Sequence, residues 1–120
     1  MDGRVDRAGR ALVDISLRRT PSEQPSAVAI WIDTVFTGEL VLSRRQIEKL
    51  GLVQSSAVSA GLADGKQVIL ETFSCVVDWF GEQRQVEAVE SEGLYALLGT
   101  GLLDGHKLEI DYRLRTLTIV

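Results

Sequence analysis

Over most of its length the chain alternates apolar and polar residues with a period of two, and that pattern admits little besides β-structure. Val13, Ile15 and Leu17 alternate with Asp14, Ser16 and Arg18; Leu108, Ile110 and Tyr112 with Lys107, Glu109 and Asp111; Leu117 and Ile119 with Thr116 and Thr118. Ala27 to Ile32 is apolar on both parities, which predicts a strand covered on both faces. Val53 to Gly61, Lys66 to Phe80 and Gln83 to Glu90 read as successive hairpins, with turn signals at Ala63-Asp64-Gly65 and Gly81-Glu82. Leu94 to Leu98 reads as a buried strand entering the Gly99 turn, with a possible helical turn after it. A helix is marked only at 44–50, after the short strand Glu39 to Leu42: Ser43 with Gln46 forms a capping box and Gly51 supplies the stop. Both prolines fall in the 20–26 loop. The first nine residues show no periodicity and are expected to form a flexible tail, so the reading is one mainly β domain over 10–120 with one short helix.

The side-chain inventory narrows the chemistry. With one Cys and one His among 120 residues, zinc chemistry and a Ser-His or Cys-His nucleophile are close to excluded within one chain. No metal is expected, Cys75 is expected to be a buried structural thiol, and carboxylates and backbone groups are left to do any catalysis. A net charge of −4, with Arg4, Arg7 and Arg10 interrupted by Asp2 and Asp6, argues against a nucleic-acid partner. The longest apolar run, Ala27 to Ile32, is far short of the ~20 residues that span a bilayer. No apolar signal segment opens the sequence, so the expected compartment is the cytoplasm and no membrane partner is expected.

One internal echo stands out. Ile30-Trp31-Ile32-Asp33-Thr34 and Ala96-Leu97-Leu98-Gly99-Thr100 each run an apolar strand into a polar or glycine turn, followed by an apolar pair and a helical turn. This suggests two related half-units about an approximate two-fold. Asp33 is the first polar group after a wholly apolar strand, which makes it either a site carboxylate or a turn cap whose side chain accepts backbone N–H groups. Local pattern alone leaves both open. Glu87, Glu90, Glu92 and Asp78 read as a solvated sheet face, and Trp31 and Trp79 as core or interface aromatics.

The longer string Asp33-Thr34-Val35-Phe36-Thr37-Gly38, leading into Glu39-Leu40-Val41-Leu42 and a capped helix, resembles the single-domain, retropepsin-like (clan AA) aspartic proteases of bacteria and archaea. Their motif runs Asp-Thr-Gly-Phe-Thr-Gly before a strand and a helix. Leu97-Leu98-Gly99 stands where that family has its hydrophobic-hydrophobic-Gly element, and Gly101 to His106 with Leu108 to Asp111 looks like its closing segment. The resemblance implies a closed β-barrel that works as a homodimer. Asp33 would pair with Asp33 of a two-fold partner and share one proton, so that one carboxylate activates a water while the other protonates the carbonyl of a polypeptide substrate. Thr34 would bond across to the partner's loop, Ala63-Asp64-Gly65-Lys66 would be the tip of a flap over the substrate, and no metal or organic cofactor would be needed. An ordinary exposed turn is the alternative reading of that tip.

Val35 departs from the motif, because the family carries Gly or another small residue there. Either the loop relaxes outward and loosens the dyad, or the side chain enters a pocket and activity survives. Three functions therefore remain: an aspartic endopeptidase, impaired or not; a catalytically inactive protease-fold dimer that binds peptides or a protein; and an unrelated small barrel with an accidental Asp-Thr.

Overall fold

The alternation at 11–18 becomes a strand whose inward residues Val13, Ile15 and Leu17 are 0, 1 and 0% exposed. The structure is a computed structural model and describes residues 1–61 and 64–120. Its strands are β1 (Asp2–Val5), β2 (Ala11–Arg18), β3 (Ser26–Ile32), β4 (Leu40–Ser43), β5 (Gln54–Gly61), β6 (Gln67–Trp79), β7 (Glu82–Ser91), β8 (Ala96–Leu98), β9 (Leu108–Asp111) and β10 (Thr116–Ile119). Two short helices, α1 (Arg44–Leu50) and α2 (Thr100–Leu103), complete it.

Strands β6, β7, β4, β8, β3 and β2 pair in that order, and β2 pairs back onto β6 through Leu17↔Val77 and Arg18↔Val76. The six strands thus close into a barrel with no free edge of its own. Two pairings in the ring are parallel, β3 with β8 and β4 with β7. The barrel is filled by Leu17, Ile30, Leu40, Leu42, Leu98 and their neighbours, each fully buried and contributing about 1.5–3 kcal/mol by leaving water.

Helix α1 begins with the reciprocal capping box: Ser43 Oγ accepts the Gln46 N–H at 3.2 Å and Gln46 Oε1 accepts the Ser43 N–H at 2.9 Å. It ends on Gly51 in the left-handed region, at φ 67°. The tight β6–β7 hairpin turns through Phe80 and Gly81, both at positive φ, as a two-residue turn that follows strand twist requires. Cys75 is fully buried and burial pushes its thiol up to about 11, which leaves it unreactive near neutral pH. The lone histidine packs structurally: Trp79 Nε1–H donates to His106 Nε2 at 3.2 Å, and Phe80 stacks on the imidazole with centroids 4.4 Å apart.

Four expectations need correction. The first nine residues are not a flexible tail, because β1 lies between β2 (Val5↔Ala11) and β10 (Asp2↔Thr118) and buries Val5. Its short length and Arg/Asp content hid a strand stabilised by backbone pairing, with the Asp6 carboxylate gathering the N–H groups of Ala8 and Arg10 into the following turn. There are two helices rather than the one counted, since the possible helical turn after Gly99 does form, as α2. Strand β3 is not covered on both faces: Ile30 and Ile32 on the inner face are buried, whereas on the outer face Ala27 and Ala29 are exposed and Trp31 is half-buried. Leu94 and Tyr95, expected in a buried strand, are 84 and 48% exposed, and β8 begins only at Ala96.

Because β1 joins barrel and terminal strands, removing residues 1–5 should lower the melting temperature by about 10 °C. Thermal unfolding followed by circular dichroism measures this, and an unchanged midpoint would restore the tail reading.

Candidate active site

The two halves of the sequence echo lie side by side. Ile30, Trp31 and Ile32 of β3 pair in parallel with Ala96, Leu97 and Leu98 of β8, and the Asp33 N–H extends that ladder by donating to the Leu98 carbonyl at 2.9 Å. Alternation along β3 turns Ile30 and Ile32 into the barrel, so Trp31 and Asp33 share the outer face. Here the strand ends. Asp33 Oδ1 accepts the Val35 N–H at 3.0 Å, and the Asp33 carbonyl accepts the Phe36 N–H at 3.3 Å. The turn-cap reading of Asp33 is therefore correct as geometry, and it leaves the second carboxylate oxygen uncommitted among the described residues.

The loop is then gripped from below by the turn that opens α2. Gly99 N–H donates to the Glu39 carbonyl at 3.0 Å, Thr100 N–H to the Phe36 carbonyl at 2.8 Å, and Gly101 N–H to the Gly38 carbonyl at 2.9 Å. Two backbones this close leave no room for side chains. A Cβ on Gly99 would stand 2.2 Å from the Gly38 oxygen and 2.7 Å from that of Phe36, and one on Gly101 would stand 2.8 Å from the Gly38 oxygen. Gly38 is constrained in turn by the Phe36 ring, whose Cζ would be 2.3 Å from an added Cβ. The glycines at 38, 99 and 101 serve close approach; none of them has the positive φ of a turn glycine.

Val35 stands at the apex of an intact turn. The loop keeps its turn, because Val35 does not need the left-handed φ that would exclude a β-branched residue. Nor does its side chain fill a pocket; it is 89% exposed at the loop's apex. Thr34 is exposed beside it, and its hydroxyl has no hydrogen bond among the described residues. Leu98 is a fully buried core residue, whereas Leu97 faces outward and pairs with both Trp31 and Val41.

The loop separates two clefts. On one side Thr34, Thr37, Thr100 and Gly101 line a groove of about 630 Å³ that continues to Asp104 and His106. On the other side Phe36, Val41 and Leu97 line a cleft of about 660 Å³ together with Ile69, Leu70 and Glu71 of β6 and Val89 of β7. The long β5–β6 hairpin thus shares a cleft with the loop. At its tip Gly65 has φ 85° and Asp64 Oδ1 accepts the Lys66 N–H at 3.0 Å; the fourth residue assigned to the tip, Ala63, lies outside the described residues. Among the described residues no group of three or more His, Cys, Asp and Glu side chains is placed to hold a metal ion.

Several residues beside the site escaped the sequence reading. Arg10 ends β2's approach two residues beyond the pair Leu12↔Trp31, next to the strand end that carries Asp33. Its guanidinium lies 4.5 Å from the Tyr95 ring centroid and 6.0 Å from that of Trp31, and the two rings meet edge to face. Asp6 fixes it there through Arg10 Nε at 2.7 Å, and the Arg10 backbone N–H, helped by the guanidinium, holds the Asp6 carboxyl below its ordinary value. Glu39 accepts the Glu87 N–H at 3.2 Å and so ties the loop's far end to β7. Apart from the Asp6–Arg10 pair, four residues apart, these contacts join residues far apart in the chain, and nothing local in the sequence marks them. Asp78 also departs from a plain solvated face: both its oxygens accept from Arg18, whose side chain is 12% exposed.

No family model and no curated protein matches this sequence. Solved structures do. A retropepsin-like aspartic protease from Rickettsia conorii is similar with a TM-score of 0.66 at 16% identity, covering 99% of this chain and 88% of that one. The EIAV protease, solved with the inhibitor HBY-793, gives 0.59 at 14% identity over 82% of this chain and 88% of that one. The retroviral protease-like domain of Ddi1 from Leishmania major gives 0.50 at 17% identity over 90% and 87%. At these identities the likeness establishes the fold alone, a retropepsin-like closed barrel.

The grip on the loop makes a sharp contrast between two neighbours. Gly99→Ala should destabilise the protein by about 2–4 kcal/mol, because its methyl meets backbone that cannot move aside. Asp33→Asn, which keeps the Oδ1 acceptor, should stay within about 0.5 kcal/mol of the parent. Urea unfolding of both variants decides; equal stabilities would mean that the loop is not held as described.

Proposed function

We propose that the chain is one subunit of a homodimeric aspartic endopeptidase in which Asp33 of each copy supplies half of the catalytic dyad. The observation that carries the reading is the placement of a single carboxylate at the outer end of β3, on a loop gripped by the 99–101 turn, within a retropepsin-like barrel. One chain offers one such loop. Two carboxylates brought into contact on a two-fold axis cannot both ionise, so they hold one proton between them. The ionised member takes a proton from a water as that water attacks the peptide carbonyl, and the protonated member donates to the carbonyl oxygen. The N–H of Val35 helps keep Asp33 in orientation, and the free Thr34 hydroxyl is available to the partner's loop. An extended polypeptide would lie across the axis between the loops and the β5–β6 flaps, bonding its backbone as an added strand.

A second reading is favoured by one feature. Val35 is 89% exposed at the loop's apex, and in a dimer built on the two loops a β-branched side chain there would keep them apart. On that reading the protein is a protease-fold dimer that binds peptides without cutting them.

A mildly acidic digest of an unfolded protein separates the two. The peptidase reading expects cleavage that falls by about a thousandfold in Asp33→Asn and rises by about tenfold in Val35→Gly as the loops close. Cleavage undiminished in Asp33→Asn would remove Asp33 from the chemistry. Binding without turnover in both the parent and Val35→Gly would establish the second reading.

A further inference from the structure

The cleft between the loop and the β5–β6 hairpin has an apolar floor that the described residues leave uncovered. Phe36, Val41, Leu97 and Val89 form one side, and Ile69, which is 71% exposed, stands over the other. The rim differs in character from the floor. Glu71 on β6, Glu90 on β7 and Glu92 just beyond it face the cleft against a single cation, Arg44. Arg44 Nε donates to Glu90 Oε1 at 2.7 Å, and the Glu90 side chain is 16% exposed, so these charges cancel within a partly covered pair. Glu71 and Glu92 take part in no ion pair among the described residues. The cleft therefore carries two uncompensated negative charges around an apolar floor.

Carboxylates scattered on a sheet have no such meaning; these surround a concave apolar space bounded by Phe36, whose N–H is bonded to Asp33. A purely apolar occupant would satisfy the floor and leave the rim's field unused, and an acidic one would be repelled. A side chain with an aliphatic stem and a cationic head satisfies both. We infer that this cleft is a specificity subsite for a lysine or arginine side chain of a bound polypeptide, at a position adjoining Asp33. The inference rests on the peptidase reading of Asp33 for its biological meaning, and on the cleft alone for the binding preference.

The test uses Asp33→Asn protein and labelled extended peptides that differ at one central position, carrying lysine, norleucine or glutamate there. Norleucine keeps the stem and lacks the charge. Fluorescence anisotropy should show lysine binding about fivefold more tightly than norleucine, and glutamate more weakly than either. Adding Glu71→Gln and Glu92→Gln should bring lysine and norleucine within about twofold of each other while leaving norleucine affinity unchanged, and about 0.5 M salt should do the same. Equal affinity for lysine and norleucine, a preference untouched by the two substitutions, or no binding of any peptide would overturn the inference. If parent protein cuts peptides with no preference for a basic residue, the subsite fails and the peptidase reading survives. If the lysine preference appears while the parent cuts nothing, the subsite stands and the peptidase reading fails.

Discussion

Everything at the candidate site depends on one backbone-to-backbone contact, the grip of the 99–101 turn on the loop that carries Asp33. A loop at a strand end would ordinarily be among the mobile parts of a domain. Here three N–H groups of the turn donate to carbonyls of Phe36, Gly38 and Glu39, and the ladder between β3 and β8 reaches Asp33 itself. The contact needs both backbones bare, which explains why Gly38, Gly99 and Gly101 occur where no unusual φ demands them. It also explains the internal echo: the repeated apolar strands pair with each other, and the turn following one clasps the turn following the other.

This arrangement separates support from chemistry. Leu98, Gly99 and Gly101 set the loop's position from within the barrel, and Glu39 and the Asp6–Arg10 turn brace its flanks. Outward there remain one carboxylate oxygen of Asp33, an unpartnered hydroxyl on Thr34 and the apolar apex Val35. Such a loop is rigid and incomplete. A rigid half-site suits a dyad made from two chains, because each carboxylate arrives already oriented and assembly need order little else.

The alternating strands, the capped helix and the tight turns were legible because each is decided by residues near one another in sequence. The capping box at Ser43 and Gln46 and the left-handed Gly51 are examples. The Asp33 loop was legible through its motif. What remained hidden depends on pairing across the chain. Strand β1 has little apolar signature because most of what it contributes is backbone, and Leu94 with Tyr95 looked like core while lying outside the barrel. The conformation at Val35 was hidden for a different reason: glycine at that position of the motif suggested a backbone requirement, whereas Val35 has no left-handed φ and its side chain is 89% exposed. Glu90 and Glu92 were read as part of a solvated sheet face, since nothing in a sequence reveals that they line one apolar cleft with Glu71 of β6.

The central claim is that two copies of Asp33 act together, and subunit mixing tests it most directly. Parent chains are unfolded, combined with an equal amount of Asp33→Asn chains and refolded, and peptidase activity is compared with that of the same parent chains refolded alone. If each dimer needs both carboxylates, random pairing leaves about a quarter of the dimers competent and activity falls to about half. Activity that stays at the level of the parent chains alone, or rises to about 1.5 times that level, would mean that a dimer with one Asp33 works, and the shared dyad would be contradicted.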